Sequence, residues 1–362
     1  MHTLARLALL LSLVAAPAAA GAQASPGQKK EKKVKSDSAL APHDPAPIYT
    51  ARTPLALTLT LNIRQIRRDK SQTVPWRAAT VSYADSTGKQ VAVPVRVRTR
   101  GIWRLANCEF PPLRLNFTKE AAKGTLFAKL DKPKLVTHCR NTDEFDQYLL
   151  QEFQLNRVYN VLTPYSHLVR LARITYVDSA DGKPFTTRYA FLSESPEDLA
   201  SRVGGIPIEQ QGAGPGDLHQ VELMVFNIFQ YLIGNTDWSI PALHNVALVA
   251  VDTTTIPVAY DFDFAGAVNT RYASTDARLA IRRVRDRLYR GFCVPTHLYT
   301  AGVDRFLARK DTIYALYSDE IGALLRPERV KETLAYFDEF YQTLSDPRRT
   351  KRELIDQCLP RG

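Results

Sequence analysis

Residues 233–265 read IGNTDWSIPALHNVALVAVDTTTIPVAYDFDFA, and they set two groups of polar residues on either side of a segment patterned as a β-hairpin. Val246 to Val251 is apolar and β-branched, Asp252-Thr-Thr-Thr255 is turn-like, and Ile256 to Tyr260 runs back. An antiparallel ladder then sets residues near 246 opposite residues near 260, which makes Asn245 and Asp261 neighbours at one mouth of the hairpin. Upstream, Asp217-Leu-His-Gln220 reads as an N-cap with its capping-box partner, Leu223 to Ile233 as a helix, and Gly234 as its C-terminal stop. Asp237 therefore belongs to a loop leaving a helix. An Asp, an Asn several residues later and an Asp pair beyond a hairpin suit phosphoryl transfer. One carboxylate orients a hydroxyl, while Asn and Asp hold Mg²⁺ between phosphates. The alternative is that these residues only cap loops and turns, as Asn and Asp commonly do.

At these residues the chain resembles the CotH kinase family, and more distantly the HipA and lipid-kinase groups, in which G-x-x-D, then N, then an acidic D-x-D pair carry catalysis. The resemblance implies that Asp237, in Gly234-Asn-Thr-Asp237, is catalytic and that Asn245, Asp261 and Asp263 bind metal. It also implies ATP or another nucleotide and Mg²⁺ or Mn²⁺ as cofactors. The implied fold is α+β, a two-lobed atypical protein-kinase-like fold with a β-rich N-lobe and a mostly helical C-lobe. Arg100-Gly101 and Arg104 match the family's R-G-x-x-R/S stretch, where guanidinium groups suit phosphates. Tyr189-Ala-Phe-Leu-Ser-Glu194 resembles its Y-x-x-x-E segment between lobes, which makes Glu194 a further cofactor-binding candidate. The pattern is broken at Pro111-Pro112-Leu113, where relatives carry a phosphate-binding Lys. Arg114 is the nearest base there, and Lys134, on the next strand, is the candidate substitute.

The remaining chain supplies the frame. Residues 1–24 read as a secretory signal peptide, with a basic start, an apolar run Leu7 to Val14 and a small-residue site Ala22-Gln-Ala24. Residues 25–47, with Lys29, Lys30, Lys32, Lys33 and Lys35 among Ser, Pro and Ala, read as a disordered basic linker. The β-rich lobe is expected over 48–194. Leu55, Leu57, Leu59, Leu61 and Ile63 alternate as one strand, and Ala78 to Ala84 and Gln90 to Arg100 follow as a meander. In the last of these Arg96, Arg98 and Arg100 share a face. Glu144 to Tyr159 reads as an amphipathic helix on which Glu152 is an exposed-face residue, or else the partner of a phosphate-binding base. Ser166 to Val177 and Phe185 to Ser193 are strands about Asp181-Gly182. The helical lobe is expected over 195–362, opening with a hinge or flap at Ser195 to Gly216. Helices are then expected at Asp276 to Tyr289, Val303 to Tyr317, and Arg329 to Leu344 behind Pro327.

The formal charge of +11, much of it from Arg282, Arg283, Arg285, Arg287 and Arg290, favours an anionic partner. No nucleic acid is expected, because no zinc spacing, RNP-like segment or helix-turn-helix pattern accompanies the charge. No H-x-x-x-H pair or G-x-S-x-G elbow points to a hydrolase. His244 reads as a hydrogen-bonding loop residue. No transmembrane segment is expected in the mature chain, so an exported periplasmic or extracellular protein follows. The four cysteines permit full pairing in an oxidising compartment. Division by lobe selects Cys108 with Cys139 and Cys293 with Cys358. The expectation is an exported kinase acting on a protein or glycan hydroxyl. The alternatives are a nucleotide-binding pseudokinase and a non-catalytic envelope scaffold for an anionic polymer.

Overall fold

The computed structural model describes residues 42–360, which fall within one compact unit. The signal peptide and most of the basic linker expected from the sequence lie outside the described residues. After a 3-10 turn, Pro47–Tyr49, the chain lays down β1 (Leu55–Leu61), α1 (Ile63–Arg68), β2 (Arg77–Ala84), β3 (Gln90–Thr99), α2 (Trp103–Asn107), β4 (Leu113–Asn116), α3 (Lys119–Ala122) and β5 (Lys134–Val136). Then come the long helix α4 (Asp143–Leu162), β6 (Val169–Asp178) and β7 (Pro184–Ser193). The second half holds α5 (Pro196–Arg202), β8 (Ile206–Ile208), α6 (Gln220–Ile233), β9 (Val246–Val251), β10 (Thr254–Ala259), α7 (Thr296–Ala315), α8 (Pro327–Ser345) and α9 (Pro347–Thr350).

Strands β1 to β7 form a closed barrel in the order β1-β2-β3-β4-β5-β7-β6. The closure is a parallel pairing of β1 with β6, from Leu55 opposite Ala172 to Leu61 opposite Asp178. Period-two alternation fills it. Leu57, Leu59 and Leu61 of β1, Val93, Val95 and Val97 of β3, and Ile174 and Tyr176 of β6 all point into one buried cluster. Each such aliphatic side chain contributes about 1.5–3 kcal/mol by leaving water. Closure also removes the exposed edges that an open meander would leave.

The barrel corrects the expectation of a two-lobed kinase-like fold with a β-rich N-lobe and a helical C-lobe. The reason lies in α4. Phe145, Leu149, Leu150, Phe153, Leu155 and Val158 are all buried, so the helix is covered on nearly every side and is not amphipathic as expected. On one side it meets Phe191 and Leu171, which point outward from the barrel wall. On the other it joins the cluster of α6, α7 and α8. One core therefore runs from the barrel surface through α4 into the C-terminal helices.

Other expectations shift locally. Ile63 is buried as foreseen, but as the first residue of α1, because Asn62 accepts a bond from the Gln65 amide and turns the strand into a helix. His219, not Asp217, caps α6 through its ring nitrogen on the Glu222 amide, while Asp217 bonds the Gly214 amide. The Ser195 to Gly216 stretch does not form a flap over a cleft. Ser195 caps α5, and β8 pairs with β9 to complete a three-stranded sheet with β10. Asp276 to Tyr289 forms no helix: Asp276 and Asp286 draw Arg278 and Arg283 into local ion pairs, while Arg287 and Arg290 turn inward to backbone carbonyls. Such local bonds compete with the helical ladder. The next helix starts at Thr296 instead of Val303, and α8 has Pro327 at its first position.

Both expected disulfides are present, with Cα separations of 4.6 Å for Cys108–Cys139 and 4.9 Å for Cys293–Cys358. The first joins the residue after α2 to the approach to α4. The amides of Glu109 and Phe110 also donate to the Cys139 carbonyl. With its ends separated by 31 positions in the sequence, this bridge should contribute about 4 kcal/mol by chain entropy. The Cys108→Ser/Cys139→Ser variant is expected to lose that amount in urea unfolding, and a loss below about 1 kcal/mol would count against the bridge as a structural tie.

Candidate active site

The hairpin forms, with Val246 opposite Ala259, but its turn is the two residues Asp252 and Thr253 instead of Asp252 to Thr255, because Thr254 and Thr255 already pair with Val251 and Ala250. At its mouth the Tyr260 amide donates to the Asn245 carbonyl at 3.2 Å, so Asn245 and the residues before Asp261 are neighbours. Upstream, Gly234 ends α6 in the left-handed region at φ 63°, and a Cβ there would lie 2.0 Å from the Tyr336 hydroxyl. Gly266 and Ala267 donate to the carbonyls of Gly234 and Ile233, which ties the loop after Asp263 to the end of α6. Arg290 donates to the carbonyls of Thr236 and Trp238, at 2.5 and 2.9 Å, on both sides of Asp237. Part of the arginine-rich segment is thus a clamp on this loop and not a surface for an anionic partner.

These elements open onto a cavity of about 570 Å³ lined by Arg98, Arg100, Arg104, Arg114, Lys134, Asp237, His244, Asn245, Asp261 and Asp263. Of the catalytic, cofactor-binding and metal residues expected from the sequence, only Glu194 lies elsewhere. Its carboxylate is buried, held by Arg202 at 2.9 Å on each oxygen, and it accepts from the Leu168 amide. Glu152 is buried as well, contrary to the exposed-face expectation. It accepts from Arg104 at 2.5 Å, while Arg104 Nε reaches Asp263 at 2.9 Å. Asp263 also accepts from the Tyr272 hydroxyl.

The basic wall follows from strand register. Arg98 on β3 stands opposite Arg114 on β4, and Arg114 opposite Lys134 on β5, so three cations cross adjacent strands as one row. Like charges directly opposite destabilise a sheet. Tyr260 offsets part of this: its ring centroid lies 3.8 Å from Lys134 Nζ. Burial, with Arg100 and Arg114 nearby, pulls the Lys134 ammonium down to about 7. Burial also lowers Arg100. The acidic side shows the complementary pattern. Burial raises Asp261, but Arg104, Arg100 and Lys134 together hold it below the usual carboxylate range. Burial pushes Asp263 and Glu152 up, against the opposing pull of Arg104.

Three residues of the cavity wall other than glycine have positive φ: Leu243 at 51°, Asn245 at 53° and Asp261 at 65°. Asn and Asp tolerate this region, whereas Leu does so at a cost, and such residues concentrate at functional sites. Asp237 is fixed at both oxygens, by His244 Nε2 at 2.8 Å and by Asn245 Nδ2 at 3.0 Å. His244 is therefore part of the site. Its place next to Asn245 in the sequence was the available signal, and only the folded loop brings its ring to Asp237.

Among the described residues no group of three or more His, Cys, Asp or Glu is arranged to cage a metal. A Mg²⁺ that arrives on phosphates needs only one or two carboxylates from the protein. Asp261, held ionised beside Asp263, and the Asn245 carbonyl oxygen, whose amide nitrogen faces Asp237, fit that donor set.

The charge of Lys134 gives the site a pH dependence. An anion bound beside it favours the protonated amine, so binding takes up a proton. Affinity for sulfate, whose own charge is constant, is expected to be full below about pH 7 and to fall by up to about tenfold per unit above it. Lys134→Met should flatten that slope in calorimetric titrations. A slope unchanged by the substitution would place the titrating group elsewhere.

Neither a scan against protein-family models nor a search of curated proteins finds a match to this chain.

Proposed function

We propose that this cavity binds a nucleotide or related polyphosphate with a divalent cation and transfers a phosphoryl group to a hydroxyl of a protein or glycan. The observation that carries the reading is the convergence of the basic row Arg98, Arg114 and Lys134 with Asp237, Asn245, Asp261 and Asp263 on one cavity. The residues come from well-separated parts of the chain, and the barrel wall is left with positive charge that an anion would compensate. In this reading the acceptor hydroxyl attacks the terminal phosphorus, its proton passes to Asp237, and the bond to the leaving phosphate breaks. Arg100, Arg114 and Lys134 hold the phosphate oxygens. Asp261, Asp263 and Asn245 would hold the cation, which neutralises phosphate charge. The motif resemblance to CotH kinases supports the chemistry and not the scaffold.

A second reading, anion binding without transfer, draws on Arg104, which occupies Asp263 and leaves less of the acidic pair for metal. The two bridged cysteine pairs accord with export to an oxidising compartment, and among the described residues no helix is long and apolar enough to cross a membrane. The deciding experiment is a nucleotide titration followed by thermal unfolding, with and without Mg²⁺. Ligand at 100 times its Kd should add about 2.7 kcal/mol. Stabilisation that needs Mg²⁺ supports transfer, stabilisation without it supports the second reading, and none at either condition excludes both.

A further inference from the structure

We propose that the acceptor in this transfer is a neutral carbohydrate, held in a second cavity that adjoins the first at Asp237. The proposal rests on the reading of the first cavity as the phosphoryl-donor site. The second cavity measures about 910 Å³ and shares Asp237, His244 and Phe264 with the first. The side chains of Asp237 and His244 are 41% and 52% exposed, so the proposed base is accessible where the two cavities meet. A donor held by the basic row and an acceptor held in the second cavity would come together at that carboxylate, in the close approach that transfer requires.

The charges of the second cavity are settled within the chain. Arg278 Nε reaches both oxygens of Asp276 at 3.0 Å, and Arg290 is the clamp on the Thr236 and Trp238 carbonyls. With two Asp and two Arg in its wall, this cavity lacks the excess of positive charge that marks the basic row, and it offers a charged acceptor no complementary field. The rest of the wall mixes the hydroxyls of Ser239, Ser274 and Thr275 with the half-buried side chains of Phe264 and Leu279. A sugar carries hydroxyls around its rim and apolar C–H faces above and below its ring, which matches both parts of that wall.

A peptide acceptor fits less well. None of the lining residues belongs to a strand, and Ser239 and His244 donate their amides to each other's carbonyls at 2.9 Å. An extended peptide therefore finds no strand edge to pair with, the usual source of its main-chain affinity. In the step itself the sugar oxygen bonds to the terminal phosphorus of a nucleoside triphosphate, its proton passes to Asp237, and the bond from that phosphorus to the bridging oxygen breaks. The products are a sugar phosphate and a nucleoside diphosphate.

The test, on the full chain, is transfer of label from radiolabelled ATP with Mg²⁺ to maltotriose, triacetylchitotriose, polygalacturonate or a degenerate Ser/Thr peptide. Label should enter one of the two neutral glycans. Leu279→Trp and Ala242→Trp, which narrow the second cavity and do not line the first, should raise the KM for that glycan at least about tenfold. Both should leave kcat and stabilisation by nucleotide unchanged. Ala242 is exposed, so its variant decides the matter if Leu279→Trp does not fold. Where nucleotide stabilises the protein, label in polygalacturonate or peptide alone, label in no acceptor, or an unchanged KM in the folded variants overturns the carbohydrate assignment and leaves the donor site standing. No stabilisation by nucleotide removes the donor reading, and the acceptor assignment falls with it.

Discussion

Arg104→Met is expected to destabilise the fold by about 3–5 kcal/mol, because it strands two buried carboxyls, Glu152 and Asp263, that a single guanidinium now serves. The side chains of Arg104, Glu152 and Asp263 are 12%, 3% and 8% exposed, so solvent does little to screen the loss. The deficit should depend on pH. Burial raises both carboxyls in the folded state, and without Arg104 only the Tyr272 hydroxyl on Asp263 opposes it. The folded variant then holds protons that the unfolded chain, with carboxyls near pH 4, has released. Its stability is fully present below about pH 4 and is lost as pH rises through the raised folded values. Urea unfolding at pH 5 and pH 8 checks this. The deficit should be larger at pH 8, and Glu152→Gln with Asp263→Asn in the same chain should recover much of it. An equal deficit at both values would mean that packing and not charge accounts for the loss.

The second large effect concerns chemistry. If the proposed transfer is correct, Asp237→Ala should lower turnover by about 100- to 10,000-fold, the usual contribution of a positioned base. Stabilisation by nucleotide and Mg²⁺ should survive, since Asp237 faces His244 and Asn245 and not the basic row. Asp237→Asn is the companion variant, which keeps polar contacts to both neighbours while removing the base. Asp261→Ala should weaken nucleotide stabilisation and turnover together. Undiminished turnover in both Asp237 variants, on any accepted substrate, would remove Asp237 from the mechanism.

The barrel strands, the long helices and the hairpin were legible because each rests on a local period. Leu57, Leu59 and Leu61 repeat every second residue, and Leu223 to Ile233 forms an apolar run that Gly234 stops. The barrel itself was not legible. Its closure is a pairing of β1 with β6, more than a hundred residues apart, and no local pattern encodes which strand ends meet. The Arg-rich segment misled for a related reason. Its composition suits a helix, but Arg287 finds a carbonyl of α6 and Arg290 a carbonyl of the loop after it, and tertiary bonds override propensity.

The candidate site divides the same way. Sequence by itself determined the types and order of its groups: Asp237, Asn245, Asp261 and Asp263 about a hairpin, the bases Arg100, Arg104 and Lys134, and cysteines able to pair. Only the tertiary structure decided how these groups are used. It turned Glu194 away to Arg202, brought His244 onto Asp237, buried Glu152 against Arg104, and aligned Arg98, Arg114 and Lys134 in one row. The physical reason is that a side chain's partners and its solvation are set by register and burial across elements distant in the chain, and the charges respond to those partners, not to their neighbours in sequence.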